Sequence, residues 1–137
     1  MLFALMTWLT LVLPFCAANA QSLLGNIFSF IVLANTTAVP VVTGAHQVNG
    51  VEVFNNGASI AYLKLYDAAT ATCGTGTPKA RYLIPATTGG TGSGAVQAYA
   101  GGDRYLNGIV ACVTGGIADA DTTAPAGTTF IYNIHWQ

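Results

Sequence analysis

The clearest pattern in the chain is the run from Gly50 to Asp67, Gly-Val-Glu-Val-Phe-Asn-Asn-Gly-Ala-Ser-Ile-Ala-Tyr-Leu-Lys-Leu-Tyr-Asp. Its first arm, Val51 to Phe54, is rich in residues that suit a pleated surface. Its second arm alternates, with Tyr62, Lys64 and Tyr66 on one face and Ala61, Leu63, Leu65 and Asp67 on the other. Between them, Asn55-Asn56-Gly57 has the chemistry of a tight turn, so the run predicts a central β-hairpin.

The same period of two recurs elsewhere. Phe130, Tyr132, Ile134 and Trp136 share one face of the last segment, and Ile131, Asn133 and His135 share the other. Ile27 to Leu33 is aromatic and β-branched and predicts a first strand. Val39, Val41 and Val42 predict a short strand that Pro40 confines to a sheet edge. Lys79 to Ala86 and Ala95 to Ala100 predict two more, with a turn at Gly101-Gly102-Asp103. Arg104 to Thr114 is a further apolar strand, interrupted at Gly108 by a bulge or a close backbone approach. Ala68 to Pro78, Thr87 to Gly94 and Gly115 to Thr128 are loops of small residues. No helical period occurs from Gln21 onward. The expected fold is all-β, an antiparallel β-sandwich or jelly roll of seven to eight strands preceded by an apolar N-terminal segment.

That segment, residues 1–20, has no charged side chain and ends in Ala18-Asn19-Ala20, the small-residue pattern before a signal-peptidase cut at Gln21. Residues 21–137 then form one domain. Contact with a membrane is expected only if residues 1–20 are retained. Ser22 to Leu33 is also apolar enough to add as a strand to a neighbouring subunit.

Composition narrows the function. Only 7% of the 137 residues are charged and the formal net charge is −1, so the chain carries no electrostatic footprint for nucleic acid. Its edges therefore lack the lysines that guard a solitary β protein. Asp119 and Asp121 alternate as calcium ligands can, but without EF-hand spacing they read first as turn residues. His46 and His135 are the only histidines, Glu52 is the only glutamate, and Ser22, Ser29, Ser59 and Ser93 sit in no nucleophile context. No catalytic site, cofactor, metal or small-molecule substrate is expected. The six tyrosines (Tyr62, Tyr66, Tyr82, Tyr99, Tyr105, Tyr132) fit either a sandwich core or a glycan platform. Cys73 and Cys112 are the two cysteines left after cleavage and pair if the protein is exported, or else are two buried thiols.

The ordered blocks Tyr62-Leu63-Lys64-Leu65-Tyr66-Asp67, Gly74-Thr75-Gly76-Thr77-Pro78, Gly108-Ile109-Val110 and Thr114 to Pro125 resemble a group of small tailed-phage and prophage proteins. The resemblance spans roughly Val48 to Trp136. It implies a β-sandwich virion component, for capsid decoration or associated with head or tail, whose partners are itself or other virion proteins. It brings no catalytic or ligand residues with it. A cleaved leader implies instead a secreted or cell-surface module that binds glycan or a surface partner.

Overall fold

A computed structural model describes residues 25–32, 36–87, 92–126 and 130–137. The leader expected at residues 1–20 lies outside the described residues. Among the described residues there are eight strands: β1 (Asn26–Val32), β2 (Val39–Thr43), β3 (His46–Asn55), β4 (Ala61–Asp67), β5 (Ala80–Ile84), β6 (Ser93–Tyr105), β7 (Gly108–Thr114) and β8 (Phe130–Trp136). No helix occurs among the described residues. One sheet has the order β1-β8-β3-β6 and the other β2-β7-β4-β5, with every neighbouring pair antiparallel.

The pairs β1·β8, β2·β7, β3·β6 and β4·β5 are nested, as in one long hairpin of four strands out and four back. Rolling that hairpin up adds the contacts β3·β8 and β4·β7, which gives a jelly roll. The expected all-β sandwich is therefore present.

Alternation decides which side chains fill it. Val51, Val53, Phe130, Tyr132 and Ile134 face inward from the first sheet. They meet Leu63, Leu65, Ile109, Ala111 and Val113 from the second. At about 25 cal/mol per Å² of apolar surface, this shared layer is the main stabilising term.

The expected Gly50–Asp67 hairpin is not there. β3 pairs with β6 and β8, while β4 pairs with β5 and β7, so Asn55 to Ile60 is an arch between two sheets. The reason lies in Asn55, whose side chain is buried and not displayed at a turn tip. Its Oδ1 accepts from Gly57 N at 2.6 Å, and its Nδ2 donates to Ser59 O at 2.8 Å and Pro85 O at 2.9 Å. The Thr87 hydroxyl adds a bond to Asn55 O at 2.7 Å. No residue of Asn55 to Gly57 has a positive φ, which the two-residue hairpin turn would need.

Two further expectations change. Gly101 and Gly102, at φ 93° and 72°, do not turn the chain. They sit in a bulge within β6, where pairing shifts from Val48↔Asp103 to Gly50↔Ala98. Arg104 to Thr114 is two strands in different sheets, split at Leu106-Asn107, whose backbone N–H groups donate to Asp67 Oδ1 at 2.8 and 2.7 Å. Gly108 makes the expected close approach: a Cβ there would stand 2.8 Å from both Ala68 O and Val42 O. The first strand expected over Ile27 to Leu33 is present as β1, which pairs with β8 of its own chain, while Ser22 to Leu24 and Leu33 lie outside the described residues.

Removing the Asn55 amide should therefore cost far more than removing a surface turn residue. Asn55→Ala is expected to destabilise by roughly 2–4 kcal/mol, because buried partners lose their bonds. Asn56→Ala, at an exposed position, should stay within about 0.5 kcal/mol. Urea denaturation of the two variants checks the contrast, and equal costs would point back to a simple turn.

Candidate functional site

The two sheets present very different outer faces. On the β2-β7-β4-β5 sheet the outer residues of β4 and β7 include Tyr66, Lys64, Val110 and Cys112, and all four are buried. Two loops cover them. Ala68 to Pro78 is pinned by a disulfide between Cys73 and Cys112, with a Cα–Cα distance of 5.9 Å across 39 residues of chain. Tyr66, Cys73, Val110 and Cys112 form a second small core there, with Ala38 and Ala71 packed against it. The loop after β7 lies over Lys64, whose Nζ donates to Ala118 O at 2.6 Å and reaches Asp121 O at 3.4 Å.

This arrangement settles the chemistry of Asp119 and Asp121. Arg81 donates to Asp119 Oδ1 through Nε at 2.7 Å and through Nη2 as well. Asp121 Oδ1 accepts from Thr123 N at 2.9 Å and Thr123 Oγ1 at 2.7 Å. Two carbonyls of the same loop, Ala118 O and Asp121 O, face the Lys64 ammonium. The loop is thus built around a cation that belongs to the chain. Burial pushes Lys64 below its ordinary value, the carboxylates of Asp121 and Asp119 oppose that shift, and Arg81 adds to it. Asp121 is held low first by the Thr123 backbone bond, then by the Thr123 hydroxyl, against burial.

The remaining candidates are scattered. His46 packs edge-on against Trp136 at 4.6 Å, with its Nε2 3.1 Å from Thr43 O. Tyr66, Tyr105 and Tyr132 are buried in the two cores, so these three do not form a stacking platform. Among the described residues, no group of three His, Cys, Asp or Glu side chains is placed to hold a metal.

Among the described residues, no loop covers the outer face of the β1-β8-β3-β6 sheet. Cross-strand register puts Ser29, Asn133, Glu52 and Val96 in one row, Ile27, His135, Gly50 and Ala98 in the next, and Ile131, Phe54 and Gly94 on the other side. Asn133 Nδ2 donates to Glu52 Oε2 at 3.0 Å, and His135 Nε2 lies 3.5 Å from Glu52 Oε1. Around this polar centre stand Val96 at 74%, Ile27 at 59% and Phe54 at 40% exposure. The polar centre escaped sequence reasoning because Glu52 and Asn133 are 81 residues apart. The signal was half present: Asn133 and His135 share the face opposite the core residues of β8.

Beside this face, between the edges of β5 and β6, runs a groove of about 350 Å³ lined by Val51, Val53, Tyr82, Leu83, Pro85 and Ala95, among others. Gly94 to Ala98 are all exposed, including the inward-pointing Ala95 and Gln97, which line the groove.

No protein-family model and no curated protein matches the chain.

Two outcomes follow from these bonds. For Asp67, burial alone pushes the carboxyl up, but the Asn107 and Leu106 N–H groups and Lys79 together hold it below its ordinary value of 3.8. Asp67 and Asp121 therefore contribute stability that is present above the unfolded pKa and lost as pH falls through the lowered folded one. Asp67→Asn and Asp121→Asn should each flatten the acid limb of a urea-midpoint profile taken between about pH 6 and 2. An unchanged profile would contradict the assigned bonds. In denatured, unreduced protein, Cys73 and Cys112 should give no titratable thiol, and Cys112→Ser with Cys73→Ser should cost about 4 kcal/mol in the chain-entropy account.

Proposed function

We propose that this chain acts by occupying a surface, as a non-enzymatic structural subunit of a virion, in capsid decoration or associated with head or tail. The observation that carries the reading is the inequality of the two outer faces. One is closed by the chain's own loops, its disulfide and Lys64. The other is uncovered among the described residues, with Ile27, Phe54 and Val96 exposed on it. A soluble monomer rarely exposes large side chains together on one sheet, whereas a subunit covers them with its neighbours. The jelly roll is a fold used by capsid proteins, which raises the prior without deciding it. The ionisable groups also have structural work: Asp67 caps a crossing, Asp119 and Asp121 hold a loop, and Lys79 lies 3.7 Å from Asp103.

One observation favours a second reading, an exported module that binds glycan. Glu52, Asn133 and His135 make a polar fan beside Phe54, and lectin domains also use jelly rolls. Its location would be the cell surface or medium after cleavage before Gln21.

Particles purified from the natural source decide between them. The first reading expects the chain in the particle fraction at fixed stoichiometry, resistant to washing with free sugars. A chain found only in the medium or on cells, or one that sugars release, would overturn it. Intact mass of the same material reads the N-terminus: a start at Gln21 is expected, and retention of residues 1–20 would refute the leader.

A further inference from the structure

Among the described residues, four strand edges have no neighbouring strand, and they are not alike. In the second sheet, β2 carries Pro40 and a register shift between Pro40 and Val42. Its other edge, β5, is five residues long and holds Arg81, with Lys79 just before it. Proline, bulges, shortness and cations are the usual guards against edge-to-edge pairing. In the first sheet the guards are fewer: β6 has its bulge at Gly101-Gly102 and its charges, Asp103 and Arg104, only at its far end. β1 reads Asn-Ile-Phe-Ser-Phe-Ile-Val, and Ser93 to Gly102 of β6 has no charged residue.

These two edges also complement each other. β1, β8, β3 and β6 alternate in direction, so β1 and β6 run opposite ways. A second copy set beside the first would therefore lay its β1 antiparallel to β6 without breaking the alternation. The seven residues of β1 span about 23 Å, well within the roughly 33 Å from Ser93 to Gly102. Phe28 and Phe30 stack at 6.0 Å on the inward side of β1 but are only half-buried in their own chain. Opposite them in such a pairing lie inward-facing Ala95 and Gln97 and the apolar groove of about 350 Å³. An aromatic ring buries roughly 150–250 Å² in full, so the half of Phe28 and of Phe30 left uncovered adds apolar area to whatever a seven-residue ladder buries.

We propose that the chain self-associates head to tail, the β1 edge of one copy adding to the β6 edge of the next, with Phe28 and Phe30 closing the β5–β6 groove of the neighbour. The contact is heterologous, so it builds a ring or a filament and leaves one free edge at each end of an open chain. It deepens the reading of the chain as an assembly subunit. If particles lack the protein while self-association persists, that reading fails and this contact stands.

The test uses the full chain with either edge blocked. Ala95→Lys puts a cation on the receiving edge, and Ile27→Lys with Ser29→Lys puts two on the donating edge; all three positions are exposed. Val96→Lys replaces Ala95→Lys should the latter fail to fold, as judged by circular dichroism. Sedimentation over a dilution series should show the unmodified chain as multimers and each variant alone at least about tenfold weaker in association. An equal mixture of the two variants should form a one-to-one dimer and nothing larger, because only one junction is intact. A monomeric unmodified chain, a variant that still dimerises alone, or a mixture that stays monomeric would overturn the proposal.

Discussion

The buried amide of Asn55 fixes the step on which the rest of this fold depends, the passage of the chain from one sheet to the other. A hairpin at that point would put β3 and β4 side by side and leave their apolar faces competing for the same cover. The bonds to Gly57, Ser59 and Pro85 instead hold the arch open, so that β3 and β4 face each other across a shared core. Asp67 does comparable work at the next tight crossing, Leu106-Asn107. With those crossings set, the nested pairing of eight strands follows.

Closing the second sheet's outer face has a cost and a compensation. Lys64 is taken wholly out of water there, which opposes its charge, and two loop carbonyls and two nearby carboxylates offset the loss. The disulfide holds the adjoining loop against Cys112 on β7 and limits the freedom of the unfolded chain. Among the described residues, no loop or disulfide covers the first sheet in this way. Its outer face keeps Glu52, Asn133 and His135 in a small polar centre, and neither β1 nor Ser93 to Gly102 of β6 carries a charge or a proline. The proposed contacts therefore fall on the side that, among the described residues, the chain leaves uncovered.

Sequence reasoning reached whatever depends on short-range period. The alternation of β8 gave Phe130, Tyr132 and Ile134 as core, Pro40 marked β2 as an edge, and Gly108 marked a close approach. It failed where one local signal serves two long-range outcomes. Asn-Asn-Gly suits a hairpin turn or an arch, and the choice is made by Pro85, 30 residues away from Asn55. Gly101-Gly102 suits a turn or a bulge, and β3 on the neighbouring strand decides. Lys64 looks like a solvated face until the loop carrying Ala118 and Asp121 is laid over it. The Glu52 centre needs β3 and β8 in register, which no local pattern encodes.

Hydrogen exchange on the chain in its native assembly, compared with the dilute free chain, tests the open-side account most directly. Added protection should fall on Asn26–Val32 and on Ser93 to Gly102, the two edges that gain a ladder. The loops over Lys64 and Cys73, already closed by the chain itself, should exchange alike in both states. Protection gained at those loops, with the edges of the first sheet unchanged, would contradict the account.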